Sequence, residues 1–293
     1  MTAFEPTGDT QVFGIFGYPV RHTLSPQMQQ AAFKTHKIHA AYLPFEVHPD
    51  QLKKAVASIV PLGIKGVNIT IPHKEKVIPF LDEIDPEAEK VGAVNTIKNN
   101  AGRLIGYNTD GRGYVASLRE AGVDPTEKAV ILLGAGGAAK GVAIALINAG
   151  VRELIIHARR AEAGAALAAH LKSVSGHAKL SAEPSDEAQD TAVKTARPVL
   201  LINTTPLGMK PGDALPFPAS RIKADWVVSD LIYRPFETPL LAAAKKIGAE
   251  TVPGLGMLLH QGALAFEIWT ALSPPIQAMN EALLKAFSHP RSR

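Results

Sequence analysis

Cysteine is absent from the 293 residues, so the chain forms no disulfide and offers no thiolate to an iron–sulfur cluster or a zinc site. No apolar stretch approaches the roughly 18 residues that a membrane span requires. The first ten residues are polar and lack a basic segment followed by an apolar core, so no export signal is expected. A cytoplasmic protein is the expectation. Charge of one sign is nowhere concentrated: 31 Lys and Arg mix with 27 Asp and Glu, leaving a formal net charge of +4. Only residues 289–293 are locally basic, which provides no stripe for nucleic acid. The 10 histidines form no His-x-His or His-x-x-x-His pair with carboxylate support, so no metal site is expected. Neither an internal repeat nor a coiled-coil heptad occurs. A mildly positive chain does suit an anionic substrate and an anionic cofactor.

What is present alternates between strand and helix. Residues 12–17, 41–47, 66–71, 93–97 and 103–107 read as strands, with helical patterns over 26–35, 50–60 and 73–81 and from 108 through about 122. A break follows at Gly122-Val123-Asp124-Pro125-Thr126. Beyond it come a strand at 128–133, a small-residue helix at 138–149, and strands at 153–157, 199–203 and 226–230. The polar stretch 181–190 reads as loop or helix end, and the chain is helical from about 255, with a Pro274-Pro275 interruption. This alternation predicts an α/β architecture with largely parallel sheets, in two domains.

Leu132-Leu133-Gly134-Ala135-Gly136-Gly137-Ala138-Ala139 follows a strand and opens a helix, the context in which a glycine-rich turn holds a pyrophosphate. Gly134 permits the tight turn, Gly136 lets the backbone approach the phosphates, and Ala139 is small enough for close helix–strand packing. The N–H groups of Gly137 and Ala138 at the helix start face an anion favourably. The next strand ends in Ala158-Arg159-Arg160 rather than in the carboxylate that usually accepts from a ribose 2′-OH. Two guanidiniums suit a 2′-phosphate, which points to NADP; Glu162, just beyond, leaves room for NAD.

Three further stretches carry candidate chemistry. In Asn68-Ile69-Thr70-Ile71-Pro72-His73-Lys74 a strand leads into Pro72, and Lys74 is expected in the first turn of a helix. The helix dipole disfavours a cation there, a setting suited to proton transfer. In Tyr107-Asn108-Thr109-Asp110-Gly111, Asp110 could cap the following helix or pair with Lys74 and bind a substrate hydroxyl. In Gly92-Ala93-Val94-Asn95-Thr96, Asn95 is a polar group inside a strand pattern, and a buried amide needs partners that a polyol supplies.

With these stretches the chain resembles the shikimate dehydrogenase family, from about residue 12 to residue 271. The resemblance also runs through Gly17-Tyr18-Pro19-Val20-Arg21-His22-Thr23-Leu24-Ser25-Pro26, Asn203-Thr204-Thr205-Pro206-Leu207-Gly208-Met209, Asp230-Leu231-Ile232-Tyr233-Arg234-Pro235, and Gly254-Leu255-Gly256-Met257-Leu258-Leu259-His260-Gln261. It implies that Lys74 and Asp110 form a catalytic pair, and that Thr23, Ser25, Thr70, Asn95 and Gln261 hold the substrate's carboxylate and hydroxyls, with Tyr233 nearby. It further implies that Gly254 and Met257 lie against a nicotinamide, and that Thr204 and the Pro206–Met209 segment, Leu207 included, line the cofactor cleft. An N-terminal α/β substrate domain over 1–110, completed by helices at about 255–293, and a Rossmann-like dinucleotide-binding domain over 111–254 are implied as well. Two departures stand out. Thr23 occupies a position where the family usually has Ser, and the family's Asn-Arg-Thr reads Ala158-Arg159-Arg160.

The reaction so implied is NADP-dependent, reversible reduction of 3-dehydroshikimate to shikimate on the way to aromatic amino acids. Lys74 would donate the proton and NADPH the hydride. A quinate or dual quinate/shikimate dehydrogenase is the nearest alternative, since one hydroxyl contact can decide between such substrates. A non-catalytic dinucleotide sensor would keep the Gly134 turn and lose the proton-transfer pair, yet Lys74 and Asp110 are both present. Small molecules are the expected partners, in a monomer or homodimer.

Overall fold

The computed structural model describes residues 5–174, 178–184, 195 and 197–288. Its contacts divide the chain into two compact units, residues 1–109 with 261–293, and residues 110–260.

The first unit is built on six strands. They are β1 (Gln11–Gly17), β2 (Ala40–Glu46), β3 (Gly66–Ile69), β4 (Glu83–Ile84), β5 (Thr96–Asn100) and β6 (Arg103–Tyr107), in the order β2-β1-β3-β5-β6-β4. Of these, β1 and β3 are the most buried. β1 runs parallel to both β2 and β3, whereas β5 is antiparallel to β3 and β6, so this sheet is mixed. Parallel neighbours need crossovers. Helix α1 (Ser25–Thr35) makes the first and α2 (Leu52–Ala57) belongs to the second. Helix α3 (Pro86–Val91) starts where the Asp85 side chain accepts from Glu87 N–H at 2.9 Å and stops at Gly92, whose φ is 67°. One core of this unit joins Phe16, Val56, Ile59, Val67, Ile69, Val94 and Ile97.

The second unit comprises α4 (Asp110–Glu120), β7 (Ala129–Leu133), α5 (Gly137–Asn148), β8 (Glu153–Ala158), α6 (Ala161–Val174), β9 (Lys179–Pro184), β10 (Val199–Asn203), β11 (Val227–Asp230), α7 (Pro239–Ile247) and β12 (Glu250–Val252). It alternates helix and strand through β9 and adds three further parallel strands. The strand order is β12-β11-β10-β7-β8-β9, with every pair parallel. Counted from β7, this is the 3-2-1-4-5-6 order of the Rossmann fold. Every residue of β7 and β10 is buried, as central strands covered on both faces must be. Chain order reverses between β7 and β10, and ligands of such sheets bind where the carboxyl ends of the strands flank that reversal.

Two helices end the chain, α8 (Leu255–Thr270) and α9 (Ile276–Ser288). The unit boundary falls within α8, and its last part returns to the first unit. There Trp269 packs 5.3 Å from Phe13 and donates its indole N–H to Ile97 O at 2.9 Å, while Phe266 packs against Phe33. Among the described residues no helix is long and apolar enough to cross a membrane.

Four local readings of the sequence need correction. Residues 73–81 form turns and a short 3-10 segment (Ile78–Phe80), not an α-helix. Lys74 O accepts from Val94 N–H at 2.8 Å rather than sustaining a helix, and Pro79 has no N–H to give. The helix dipole expected at Lys74 is therefore missing. The strand expected over 93–97 begins only at Thr96, so Asn95 precedes it. The helix expected over 50–60 is a 3-10 turn followed by the short α2, because Pro49 and Gln51 start the segment in the tighter form. Residues 181–184 finish strand β9, whereas 185–190 lie outside the described residues.

Candidate functional site

In the first unit, β2, β3, the start of β5 and the residues just after β6 carry a chain of buried hydrogen bonds. The Tyr42 hydroxyl donates to Asn68 Oδ1 at 2.7 Å, and Asn68 Nδ2 donates to Thr96 Oγ1 at 3.0 Å. Thr96 in turn donates to Asn95 Oδ1 at 2.9 Å. Asn95 Oδ1 also accepts from Thr109 N–H at 2.8 Å, and its Nδ2 donates to Thr109 Oγ1 at 2.9 Å. Thr109 passes its own proton to Gln261 O at 3.0 Å. The network fixes which way each amide faces, because only one orientation matches donors to acceptors. Burial pushes the Tyr42 phenol far above its usual range, so it stays a donor.

Thr23 and Ser25 stand at the start of α1, where the Thr23 hydroxyl donates to Ser25 Oγ at 3.1 Å. Ser25 is buried and faces the Tyr42 hydroxyl; Thr23 is half-buried. Thr70 follows β3, with its N–H on Phe16 O at 2.9 Å and its carbonyl taking His73 N–H at 2.9 Å. Next to it, His73 is fully buried and its Nε2 bonds to Val47 O at 2.8 Å. Since a carbonyl only accepts, His73 carries its proton on Nε2. Desolvation holds its pKa below the usual value, and Lys76 lowers it further against the opposing Val47 bond. Half-buried Lys74 thus sits on a turn pinned by His73 on one side and by Val94 on the other.

In the second unit the Gly134 turn leaves β7. Gly134 has φ +106°, and a Cβ there would lie 2.8 Å from Thr204 Oγ1, so only glycine fits. Its N–H bonds to His157 O at 2.7 Å, and Thr204 donates to Leu133 O at 2.6 Å, locking the turn between β8 and β10. Ala135 is half-buried, while Gly136, Gly137 and Ala138 are exposed. Gly136 caps α5 without a side-chain bond, and a Cβ on it meets no atom within 4 Å. Open space above an uncapped helix start fits a phosphate group. Arg159 and Arg160 are exposed just after β8, where Arg160 O accepts from the Ala163 and Gly164 N–H groups of α6.

The segment after β10 rests on a second buried network. Asp230 accepts from Asn203 Nδ2 at 3.1 Å, Ile232 N–H at 3.0 Å and the Thr238 hydroxyl at 2.7 Å. Burial raises its pKa, and these three donors oppose the rise. Asn203 also donates to Leu207 O at 3.1 Å and accepts from the Thr205 hydroxyl at 2.7 Å, which shapes the loop that leaves Leu207 exposed. Half-buried Tyr233 follows, its phenol pushed up by desolvation against the pull of Arg234. Gly254 is buried so tightly against the Leu231 and Ile232 carbonyls that a Cβ would collide with Leu231 O. Met257 is half-buried in the first turn of α8. Asp110 opens α4 as the first residue of the second unit, half-buried.

These halves have counterparts in known proteins. A family model described as the shikimate dehydrogenase substrate binding domain matches residues 15–97, and one for the shikimate 5'-dehydrogenase C-terminal domain matches residues 254–284. The shikimate dehydrogenase (NADP(+)) of Carboxydothermus hydrogenoformans is 48% identical over 280 residues, covering 94% of this chain and 97% of the relative. The chain belongs to the shikimate dehydrogenase family. Among solved members, the shikimate 5-dehydrogenase from Listeria monocytogenes in complex with shikimate and NAD is 37% identical, with a TM-score of 0.88 over 94% of this chain and 97% of that one. Quinate dehydrogenase from Corynebacterium glutamicum in complex with NAD is similar at 30% identity and TM-score 0.87, over 94% of this chain and 99% of that one.

The two buried networks include side chains to which the sequence alone assigned no role. Tyr42, Thr96 and Thr109 tie the candidate substrate residues together, and Asn203, Asp230 and Thr238 brace the loop after β10. Asn203 and Asp230 each end an apolar strand, a position where a polar residue calls for a reason.

Proposed function

We propose that the chain is an NADP-dependent oxidoreductase that interconverts 3-dehydroshikimate and shikimate. One observation carries this reading: a buried hydroxyl-and-amide network in one unit accompanies a Rossmann strand order with an open glycine turn in the other. A polyhydroxylated acid needs the first and a dinucleotide the second. The residues present fit the cofactor. The Gly134–Ala138 turn would hold its pyrophosphate, Arg159 and Arg160 its 2′-phosphate, and Thr204, Leu207, Gly254 and Met257 its remaining surface. When bound, the cofactor supplies the hydride.

The protein supplies binding, orientation and a proton. Thr23 and Ser25 direct two hydroxyls at the substrate carboxylate, and Thr70, Asn95, Asp110, Tyr233 and Gln261 hold the ring. Lys74 Nζ gives its proton to the oxygen that gains charge in reduction and takes it back in oxidation; Asp110 keeps the ammonium and the neighbouring hydroxyl in line. The first unit then serves as substrate and catalytic domain and the second as cofactor domain, in a cytoplasmic monomer or homodimer.

Quinate oxidation is the second reading, favoured by the extra methyl of Thr23 and by the likeness to the quinate enzyme. Lys74→Ala tests the catalytic assignment. Its kcat should fall about a hundredfold or more while the KM for shikimate changes little. A near-normal rate would remove Lys74 from the mechanism.

A further inference from the structure

We infer that Gln29 is a positioning residue for Gln261, setting where α8 presents that side chain to the substrate; the inference rests on the function proposed above. Gln29 lies in the middle of α1 and is 0% exposed. A buried amide is costly unless it is bonded, and an apolar side chain of equal length would fill the same space. What the amide adds is a donor. Gln29 Nε2 donates to Gly262 O at 2.8 Å, while its Oε1 is buried with no partner among the described residues. Beside it, Met28 touches the Gly262 backbone so closely that a Cβ there would overlap Met28 Cε. At this point the side chains of Met28 and Gln29 lie directly on the backbone of α8.

The preceding carbonyl, Gln261 O, accepts from Thr109 Oγ1 at 3.0 Å. Two successive carbonyls of α8 thus each take a bond from outside the helix. They point about 100° apart around its axis, so together they fix rotation as well as position. On α1, Ser25 and Gln29 are four residues apart and share a face. One rigid turn of helix then sets the spacing between the Ser25 hydroxyl and Gln261.

A double-mutant cycle on the intact enzyme reads this coupling. Gln29→Met keeps the chain length and removes the donor; Gln29→His keeps a side-chain N–H. With shikimate and NADP+, Gln29→Met should lower kcat/KM roughly fivefold, mostly through KM, the equivalent of one ordinary hydrogen bond. Gln29→His should restore most of the loss. In a Gln261→Ala background, Gln29→Met should make no further difference, because the residue it positions is gone. Unchanged kcat/KM in Gln29→Met, or the same fivefold drop in both backgrounds, overturns the inference and leaves the proposed function standing. A Gln261→Ala enzyme with wild-type kcat/KM overturns both the role of Gln261 and this inference. Should the Met variant fold poorly, Gln29→Leu in the same two backgrounds gives the same readout.

Discussion

Acid should weaken the second unit through one buried imidazole. His157 sits near the end of β8, 4% exposed, with its ring 6.1 Å from that of Phe217 and its Nε2 without a partner among the described residues. Burial lowers its pKa from 6.5 to about 4, so the native ring is neutral. Unfolding returns it to water, and between pH 6.5 and 4 the unfolded chain binds a proton that the native chain refuses. The stability that comes with a neutral ring is complete above pH 6.5 and is lost as the pH falls toward 4. Its full value is about 3 kcal/mol, of which about 2 kcal/mol is expressed at pH 5. Urea unfolding of the wild type and of His157→Leu, each at pH 7.5 and pH 5, isolates this contribution. Other titrating groups cancel in the comparison, among them Asp230, held up by burial, and Asp213, held down by the Lys210 and Gly208 amides. The wild type should lose about 2 kcal/mol more than the variant on going to pH 5. Equal losses in the two proteins would show that His157 titrates normally and refute the reasoning.

Two further perturbations address the cofactor. Gly134→Ala forces a side chain into φ +106° and against Thr204 Oγ1, so the turn must deform. NADPH affinity, followed by fluorescence titration, should drop more than about tenfold while thermal melting falls by only a few degrees. Arg159→Ser with Arg160→Ser removes two exposed guanidiniums. The KM for NADP+ should rise roughly a hundredfold with that for NAD+ nearly unchanged, and a parallel rise in both would detach these arginines from the 2′-phosphate.

The inner strands of the second unit were legible in the sequence because they are buried on both faces, unlike its edge strands β9 and β12. Runs such as Ala129–Leu133 and Val199–Asn203 have no competing period, and their ends coincide with polar or glycine residues. The first unit was harder to read. Around Lys74 the local pattern favours helix, but Val94 N–H captures the carbonyl that a helix would use, a partner twenty positions away that no local rule anticipates. Asn95 likewise reads as strand by pattern, yet its amide is taken up by Thr109 and Thr96. Strands β4 and β12, of two and three residues, are too short to show a period. Candidate residues were visible by type and place, whereas the groups that hold them, Tyr42 and Thr109 above all, act through tertiary contacts.

The most direct measurement is a steady-state assay of the purified chain, following NADPH or NADH formation with shikimate or quinate and either NADP+ or NAD+. The expected kcat/KM is highest for shikimate with NADP+, by more than about tenfold over each of the other three pairs. Absence of turnover with shikimate, or a preference for quinate with NAD+, would contradict it.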